Sequence, residues 1–314
     1  MCPAPQVSFE GRSSAVADLK ERSPRWVKDV ANLTTRRYAM ATAGWRTTPD
    51  FLVIGTKRGG TTALFNYLLM HPGVLGLFPQ PRGRKSSDYF FKELERGEDW
   101  YRSHFHTTVF RERKGRELGY RPASGEASPY YLWDPRVADA VHEVAPEIRA
   151  IALLRDPVKR AWSHFQERRA NGVEPLGFVD ALAAEEDRLQ GEAERMAADP
   201  TYYSEAHDWY SYRSRGIYLP QLLNWKARFP AGHLLVLRSE DMYRDVQGVF
   251  DSVCAFLGLP PHTLPTTRAF GARSNPESMP EEARDQLTAF YASHNRDLEE
   301  HLGRSLEWSA GAEA

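Results

Sequence analysis

Cysteine is nearly missing from this chain, which has only Cys2 and Cys254 among 314 residues. Two cysteines so far apart make neither a disulfide framework nor a zinc site, and Cys254, inside the apolar run Val253 to Leu257, reads as a small buried residue in a reducing compartment. Long hydrophobic runs are missing too. No stretch approaches a membrane span, and the first residues lack a basic region followed by an apolar one, so a cytoplasmic location with neither anchor nor export is expected. Charge of one sign is also lacking: Lys+Arg of 41 against Asp+Glu of 42 leaves net −1. That balance gives no global attraction to nucleic acid or to an anionic membrane, so basic residues must act locally. No repeat or low-complexity linker interrupts the chain. With 41% hydrophobic and 26% charged residues, the length suffices for a full α/β core.

What is present is organised around Phe51 to Leu69. Phe51-Leu52-Val53-Ile54 behind Pro49-Asp50 reads as a buried strand, and Ala63, Leu64, Tyr67 and Leu68 form the apolar face of a helix. Between them lies a candidate phosphate loop. Gly59 and Gly60 let backbone N–H groups approach an anion, the helix presents its positive end, and Thr61 and Thr62 add hydroxyl donors. The spacing Gly55-x4-Gly60 suggests the triphosphate loop G-x-x-x-x-G-K-[ST], but Thr61 stands where that motif needs lysine. The cations come earlier, as Lys57 and Arg58, which suits a shorter anionic chain than a triphosphate. Close strand-to-helix packing alone would also account for two glycines.

Further along, Val16 to Met40 suggests one or two surface helices, with Trp26, Val27, Val30 and Leu33 at helical spacing. Packing explains them, although Trp26 or Trp45 could wall an acceptor pocket. Val74 to Phe78 reads as a short strand and Pro79 to Arg84 as a basic turn. Lys85-Ser86-Ser87-Asp88-Tyr89-Phe90-Phe91 and Gly125-Glu126-Ala127-Ser128-Pro129-Tyr130-Tyr131 each join a loop to carboxylates and aromatics, the second as a small-residue turn ahead of a helix from about Asp134 to Val144. Ile148 to Leu154 is a second buried strand, ended by Arg155-Asp156-Pro157, with Pro157 opening a helix to Arg169. Arg155 and Ser163 can then converge at the sheet edge where α/β ligands bind, although Arg155 could instead pair with Asp156. Gly177 to Ala198 reads as a solvated helix, and Tyr202 to Tyr212 is dense in the flat amphipathic side chains that line clefts. A helix reaching Phe229, a strand Leu234 to Leu237, a helix Val246 to Leu257, a loop with Arg268, Gly271 and Arg273, and a last helix Glu281 to Leu302 complete the chain.

Together these segments resemble the sulfotransferases that use 3′-phosphoadenosine 5′-phosphosulfate (PAPS), and most closely their heparan-sulfate branch and its bacterial relatives. Gly55 to Leu64 is similar to the family's 5′-phosphosulfate loop, and Leu153-Leu154-Arg155-Asp156-Pro157 with Ser163 to its 3′-phosphate motif. Glu126 to Tyr130, Arg215-Gly216-Ile217-Tyr218 and Leu302 to Trp308 are similar too. The resemblance implies an α/β fold: one P-loop-like domain, residues 49–310, with a central parallel sheet flanked by helices, behind an N-terminal helical extension, residues 1–48. It implies that Lys57, Arg58, Gly59, Gly60, Thr61, Thr62, Arg155, Ser163, Tyr218 and Arg273 hold the donor and its product adenosine 3′,5′-bisphosphate. No metal site is expected, because a sulfuryl group carries less charge than a phosphoryl group and needs no magnesium clamp.

By the same resemblance Arg58 aligns with a catalytic lysine and stabilises the leaving group, with Lys57 and Lys85 as neighbouring cations. One departure concerns the base. Heparan-sulfate members carry a glutamate after the lysine, whereas Lys85 is followed by Ser86, which leaves Asp88 as the favoured base and Glu126 and His164 as the others. The expected acceptor is a small molecule or a carbohydrate-containing one, as in bacterial secondary metabolism. The alternatives are a noncatalytic nucleotide-binding protein of this fold and a P-loop kinase, the latter disfavoured by Thr61.

Overall fold

The computed structural model describes residues 34–79, 84–268 and 277–308. Five strands, β1 (Phe51–Gly55), β2 (Val74–Leu75), β3 (Ala123–Ala127), β4 (Arg149–Leu154) and β5 (Leu234–Arg238), form one sheet in the order β2-β3-β1-β4-β5. All four pairings are parallel. The continuous apolar sequences of β1 and β4 fit this arrangement, since a parallel sheet covered on both faces buries every residue of its central strands. Alternate side chains feed two cores. Leu52, Ile54, Ala150, Ala152 and Leu154 pack with Phe90, Tyr131 and Trp225 on one face. Phe51, Val53, Ile151 and Leu153 pack with Leu64, Phe65 and Phe250 on the other.

The covering helices used below are α1 (Thr61–Leu68), α2 (Thr108–Leu118), α3 (Val137–Val144), α4 (Pro157–Ala170), α5 (Tyr218–Lys226), α6 (Val246–Leu257) and α7 (Glu281–Leu302). Their ends follow local chemistry. Asp156 caps α4 by accepting from the Val158 and Lys159 N–H groups at 2.9 and 3.4 Å, with Pro157 in the first turn. Gly258, at φ 70°, and Gly303, at φ 64°, stop α6 and α7 in the left-handed conformation that only glycine adopts freely. Residues 34–41 are also helical, and the rest of the expected N-terminal helices, Val16 to Leu33, lies outside the described residues.

Several expectations are corrected. The segment read as a small-residue turn at Gly125 is instead the interior strand β3, buried throughout. Its small residues are a packing requirement: a Cβ on Gly125 would lie 2.4 Å from the Phe51 ring, its partner across the ladder. The single solvated helix over Gly177 to Ala198 is three short ones, Phe178–Ala183, Glu185–Leu189 and Glu192–Ala198. Gly191, at φ 77°, breaks the last pair, and Glu185 is buried with its carboxylate accepting from Arg213 and Ser214 N–H groups. The Val74 to Phe78 strand shortens to two residues. The basic turn after Pro79 falls largely, and Trp26 and Arg273 fall wholly, outside the described residues.

Candidate active site

Residues 56–60 connect β1 to α1 at the carboxyl edge of the sheet, the edge where open α/β folds bind ligands. The turn is held from below. Thr56 N–H donates to the Leu153 carbonyl at 2.9 Å, Gly59 N–H to the Thr56 carbonyl at 2.9 Å, and Ser239 Oγ to the Gly59 carbonyl at 2.5 Å. Glycine is required at position 59, because a Cβ there would stand 2.5 Å from the Leu153 carbonyl oxygen. Gly60 has φ 90° and precedes the first residue of α1, whose free N–H groups face outward from the loop.

A cavity of about 680 Å³ opens over this loop. It is lined by Lys57, Arg58, Gly60, Thr61, Thr62, Lys85, Arg155 and Ser163, so most of the residues singled out in the sequence do converge. A hollow of about 710 Å³ beside Thr108, Arg111 and Tyr120 is as large, but it lies near the amino ends of the strands, far from the loop. Size does not decide between the two; the donor set does.

Arg58 sits at φ 68° and reaches across the cavity, donating from Nε to Ser163 Oγ at 2.9 Å and pairing through Nη1 with Glu167 at 3.2 Å. Arg155 Nη1 donates to the Arg58 carbonyl at 3.0 Å. The alternative in which Arg155 pairs with Asp156 is not what occurs, since Asp156 is occupied by the start of α4. Tyr218 is buried behind the cavity, where its hydroxyl donates to the Arg155 carbonyl at 2.8 Å, so it supports Arg155 and does not line the wall. Lys85 Nζ donates to Thr61 Oγ1 at 3.0 Å, and burial lowers its pKa to about 8.

Lys57, also in the cavity wall, meets a carboxylate of its own. Its Nζ pairs with Asp208 at 3.1 Å, and Asp208 also accepts from Arg215 at 3.2 Å and from the Tyr203 hydroxyl at 2.8 Å. Burial, reinforced by Arg215, lowers the Lys57 pKa to about 8, while Lys57 and Arg215 keep the Asp208 carboxyl well below its ordinary value despite its burial. The aromatic segment Tyr202 to Tyr212 is thereby tied to the phosphate loop. Within it the His207 ring stacks on Trp133 and bonds the Tyr130 hydroxyl at 2.8 Å.

The three base candidates lie elsewhere. Asp88, at φ 62°, opens the short helix Tyr89–Lys92 and is not among the cavity-lining residues. Glu126 is fully buried and accepts from Ser87 N–H at 2.5 Å and from the Tyr131 and Tyr101 hydroxyls at 3.0 and 3.2 Å; burial raises its pKa to about 7. His164 is sealed inside, and burial followed by the charges of Lys57, Arg215, Arg160 and Arg168 keeps its imidazole neutral. Trp45 is 70% exposed beside Thr108, away from the cavity. Among the described residues no cluster of three or more His, Cys, Asp or Glu side chains could hold a metal ion.

With the loop, the cation cluster and the carboxyl-edge cavity in place, the comparison with known proteins is decisive: a family model described as the sulfotransferase domain matches residues 48–275. The chain belongs to the sulfotransferase family. Among curated sulfotransferases, human bifunctional heparan sulfate N-deacetylase/N-sulfotransferase 3 is 26% identical over 81% of this chain and 30% of its own length. Mouse heparan sulfate glucosamine 3-O-sulfotransferase 6 is 26% identical over 84% of this chain and 75% of its own. The chain thus spans about a third of the bifunctional relatives it matches. The crystal structure of a sulfotransferase from Alicyclobacillus acidocaldarius superposes with TM-score 0.61 at 27% identity, covering 83% of this chain and 99% of that one.

Sequence reasoning missed Glu167, Arg168, Tyr67 and Tyr243 in the wall of this sulfotransferase cavity. Glu167 could have been found, since it stands four residues after Ser163 and therefore one turn along the same helix face. The Asp208 link to Lys57 could not, because nothing local connects residues 151 apart in sequence.

Proposed function

We propose that this chain transfers a sulfuryl group from PAPS to a hydroxyl of a small-molecule or carbohydrate-containing acceptor in the cytoplasm. The observation that carries the reading is the meeting of the glycine loop, Arg58, Arg155 and Ser163 on one cavity whose loop has Thr61 at the triphosphate-lysine position. The names of the heparan-sulfate relatives support a carbohydrate acceptor, and the free, buried Cys254 suits a reducing compartment. In this reading Arg155 and Ser163 hold the 3′-phosphate, while the Gly60 N–H group with the Thr61 and Thr62 hydroxyls holds the 5′-phosphosulfate.

The acceptor oxygen attacks sulfur in line, and negative charge grows on the oxygen that bridges sulfur to the departing adenosine 3′,5′-bisphosphate. A cation aimed there accelerates transfer because it binds the transition state better than the ground state. Arg58 takes this role, and Lys85, beside Thr61, adds a second charge. Lys57, held by Asp208, acts as a strut between loop and aromatic segment.

A second reading, a noncatalytic nucleotide-binding protein, is favoured by Ser86 at the position where relatives are expected to carry the base. Incubation with sulfur-labelled PAPS and a panel of alcohols, sugars and phenols separates the two. The enzyme reading requires label transfer that falls by roughly a hundredfold in Arg58→Ala with a smaller change in donor Kd. Tight bisphosphate binding with no transfer would favour the second.

A further inference from the structure

An aliphatic hydroxyl needs a base whose oxygen or nitrogen reaches the reacting atoms, and the candidates named from sequence do not enter this cavity. Asp88 lies outside its lining, both oxygens of Glu126 are held by Ser87, Tyr101 and Tyr131, and His164 is sealed. The carboxylate in the wall belongs to Glu167. It stands on α4 one turn beyond Ser163, where its Oε1 pairs with Arg58 Nη1 at 3.2 Å and its Oε2 with Arg168 Nη2 at 3.5 Å. Its side chain is 21% exposed, so the group is open to a second substrate. Lys57 and Lys85 feel its charge from the other walls.

An acidic side chain is otherwise out of place here. Beside five cations that suit an anionic donor, a carboxylate weakens donor binding by like-charge repulsion, a cost that a chemical role explains. The same residue also holds Arg58, the cation assigned above to the leaving group. When a phosphosulfate occupies the loop, its charge competes for Arg58 and uncovers Glu167.

We propose that Glu167 is the general base of this site, an assignment that rests on the sulfuryl-transfer reading above. A Glu167 carboxylate oxygen takes the proton of the acceptor hydroxyl as the acceptor oxygen forms its bond to sulfur. The bond from sulfur to the bridging oxygen breaks, and its electron pair stays on the 5′-phosphate of adenosine 3′,5′-bisphosphate. The proton then leaves Glu167 for solvent.

The test compares wild type, Glu167→Gln and Glu167→Asp in single-turnover reactions with sulfur-labelled PAPS, using water, glycerol and 4-nitrophenol as acceptors. Calorimetry gives the Kd for adenosine 3′,5′-bisphosphate in parallel. Transfer to water and glycerol should fall by roughly a hundred- to ten-thousandfold in Glu167→Gln, and transfer to 4-nitrophenol, already largely ionised, by less than about tenfold. Bisphosphate affinity should hold or improve, and Glu167→Asp should recover part of the rate. Equal losses on all acceptors, or weakened bisphosphate binding that accounts for the loss, would make Glu167 only a partner of Arg58 and overturn the assignment. So would an unchanged rate, or a wild type that binds bisphosphate but transfers to none of the three. A wild type that does not bind the bisphosphate would instead remove the sulfotransferase reading itself.

Discussion

Replacing Asp208 by asparagine removes one carboxylate and leaves two buried cations facing each other. Lys57 and Arg215 are 12% and 0% exposed at their side chains, and each forms its ion pair with Asp208, at 3.1 and 3.2 Å. Asparagine keeps the shape and one acceptor oxygen but not the charge, so the loss is that of breaking a buried pair, about 3–5 kcal/mol. With an unfolding entropy of about 2.1 cal/mol/K per residue, a chain of 314 residues shifts by about 1.5 °C per kcal/mol, which makes the expected fall in Tm roughly 5–8 °C. Scanning calorimetry at pH 7 measures it. Lys57→Gln alone should cost less, because Arg215 still neutralises Asp208, and the double variant should show a coupling of about 0.5–3 kcal/mol. A shift below about 2 °C with strictly additive variants would refute the claim that this network ties the aromatic segment to the phosphate loop.

Arg155→Ala and Ser163→Ala should each raise the Kd for adenosine 3′,5′-bisphosphate by roughly ten- to a hundredfold, the worth of one charge-assisted contact at about 1.5–3 kcal/mol, and an unchanged Kd in calorimetry would cancel their assignment to the 3′-phosphate. The pKa values of Lys57 and Lys85, lowered to about 8, predict donor affinity that weakens as pH rises from 7 to 9, with a shallower profile in Lys85→Met. For stability the sign is opposite: the unfolded chain binds more protons at these lysines between about pH 8 and 10.5, so their unfavourable burial is relieved as pH rises. Glu126, raised from 4.5 to about 7, contributes stability that is fully present below pH 4.5 and is lost as pH rises through 7, so Glu126→Gln should gain Tm relative to wild type between pH 5 and 8. A constant difference across that range would contradict the buried, protonated carboxyl.

The parallel sheet was legible wherever a strand announced itself by an apolar run, as β1, β4 and β5 did. Strand β3 was not, because Ala123-Ser124-Gly125-Glu126-Ala127 owes its place to the room that Phe51 and the neighbouring strands leave, and small residues carry no β signal of their own. Within the site, the loop and the Arg155–Ser163 pair were readable because each hangs on a local turn or a helix repeat. The roles of Lys57 and Glu126 were not. Lys57 stands in the cavity wall as a phosphate cation would, but its pairing with Asp208, brought in from a distant helix, has no local signal. Glu126 was read as a possible base, but two tyrosines and a backbone N–H enclose it. Such outcomes depend on tertiary contacts that no short window of sequence contains.

The most direct test of the account is a calorimetric comparison of adenosine 3′,5′-bisphosphate, adenosine 5′-monophosphate and ATP with the wild-type protein. Two phosphates on opposite sides of the ribose should engage the loop and the Arg155–Ser163 pair together, so the bisphosphate should bind roughly ten- to a hundredfold more tightly than the monophosphate. ATP should gain nothing from its extra phosphates, because Thr61 replaces the lysine that would receive them. Tighter binding of ATP than of the bisphosphate, or no preference for the 3′-phosphate, would contradict it.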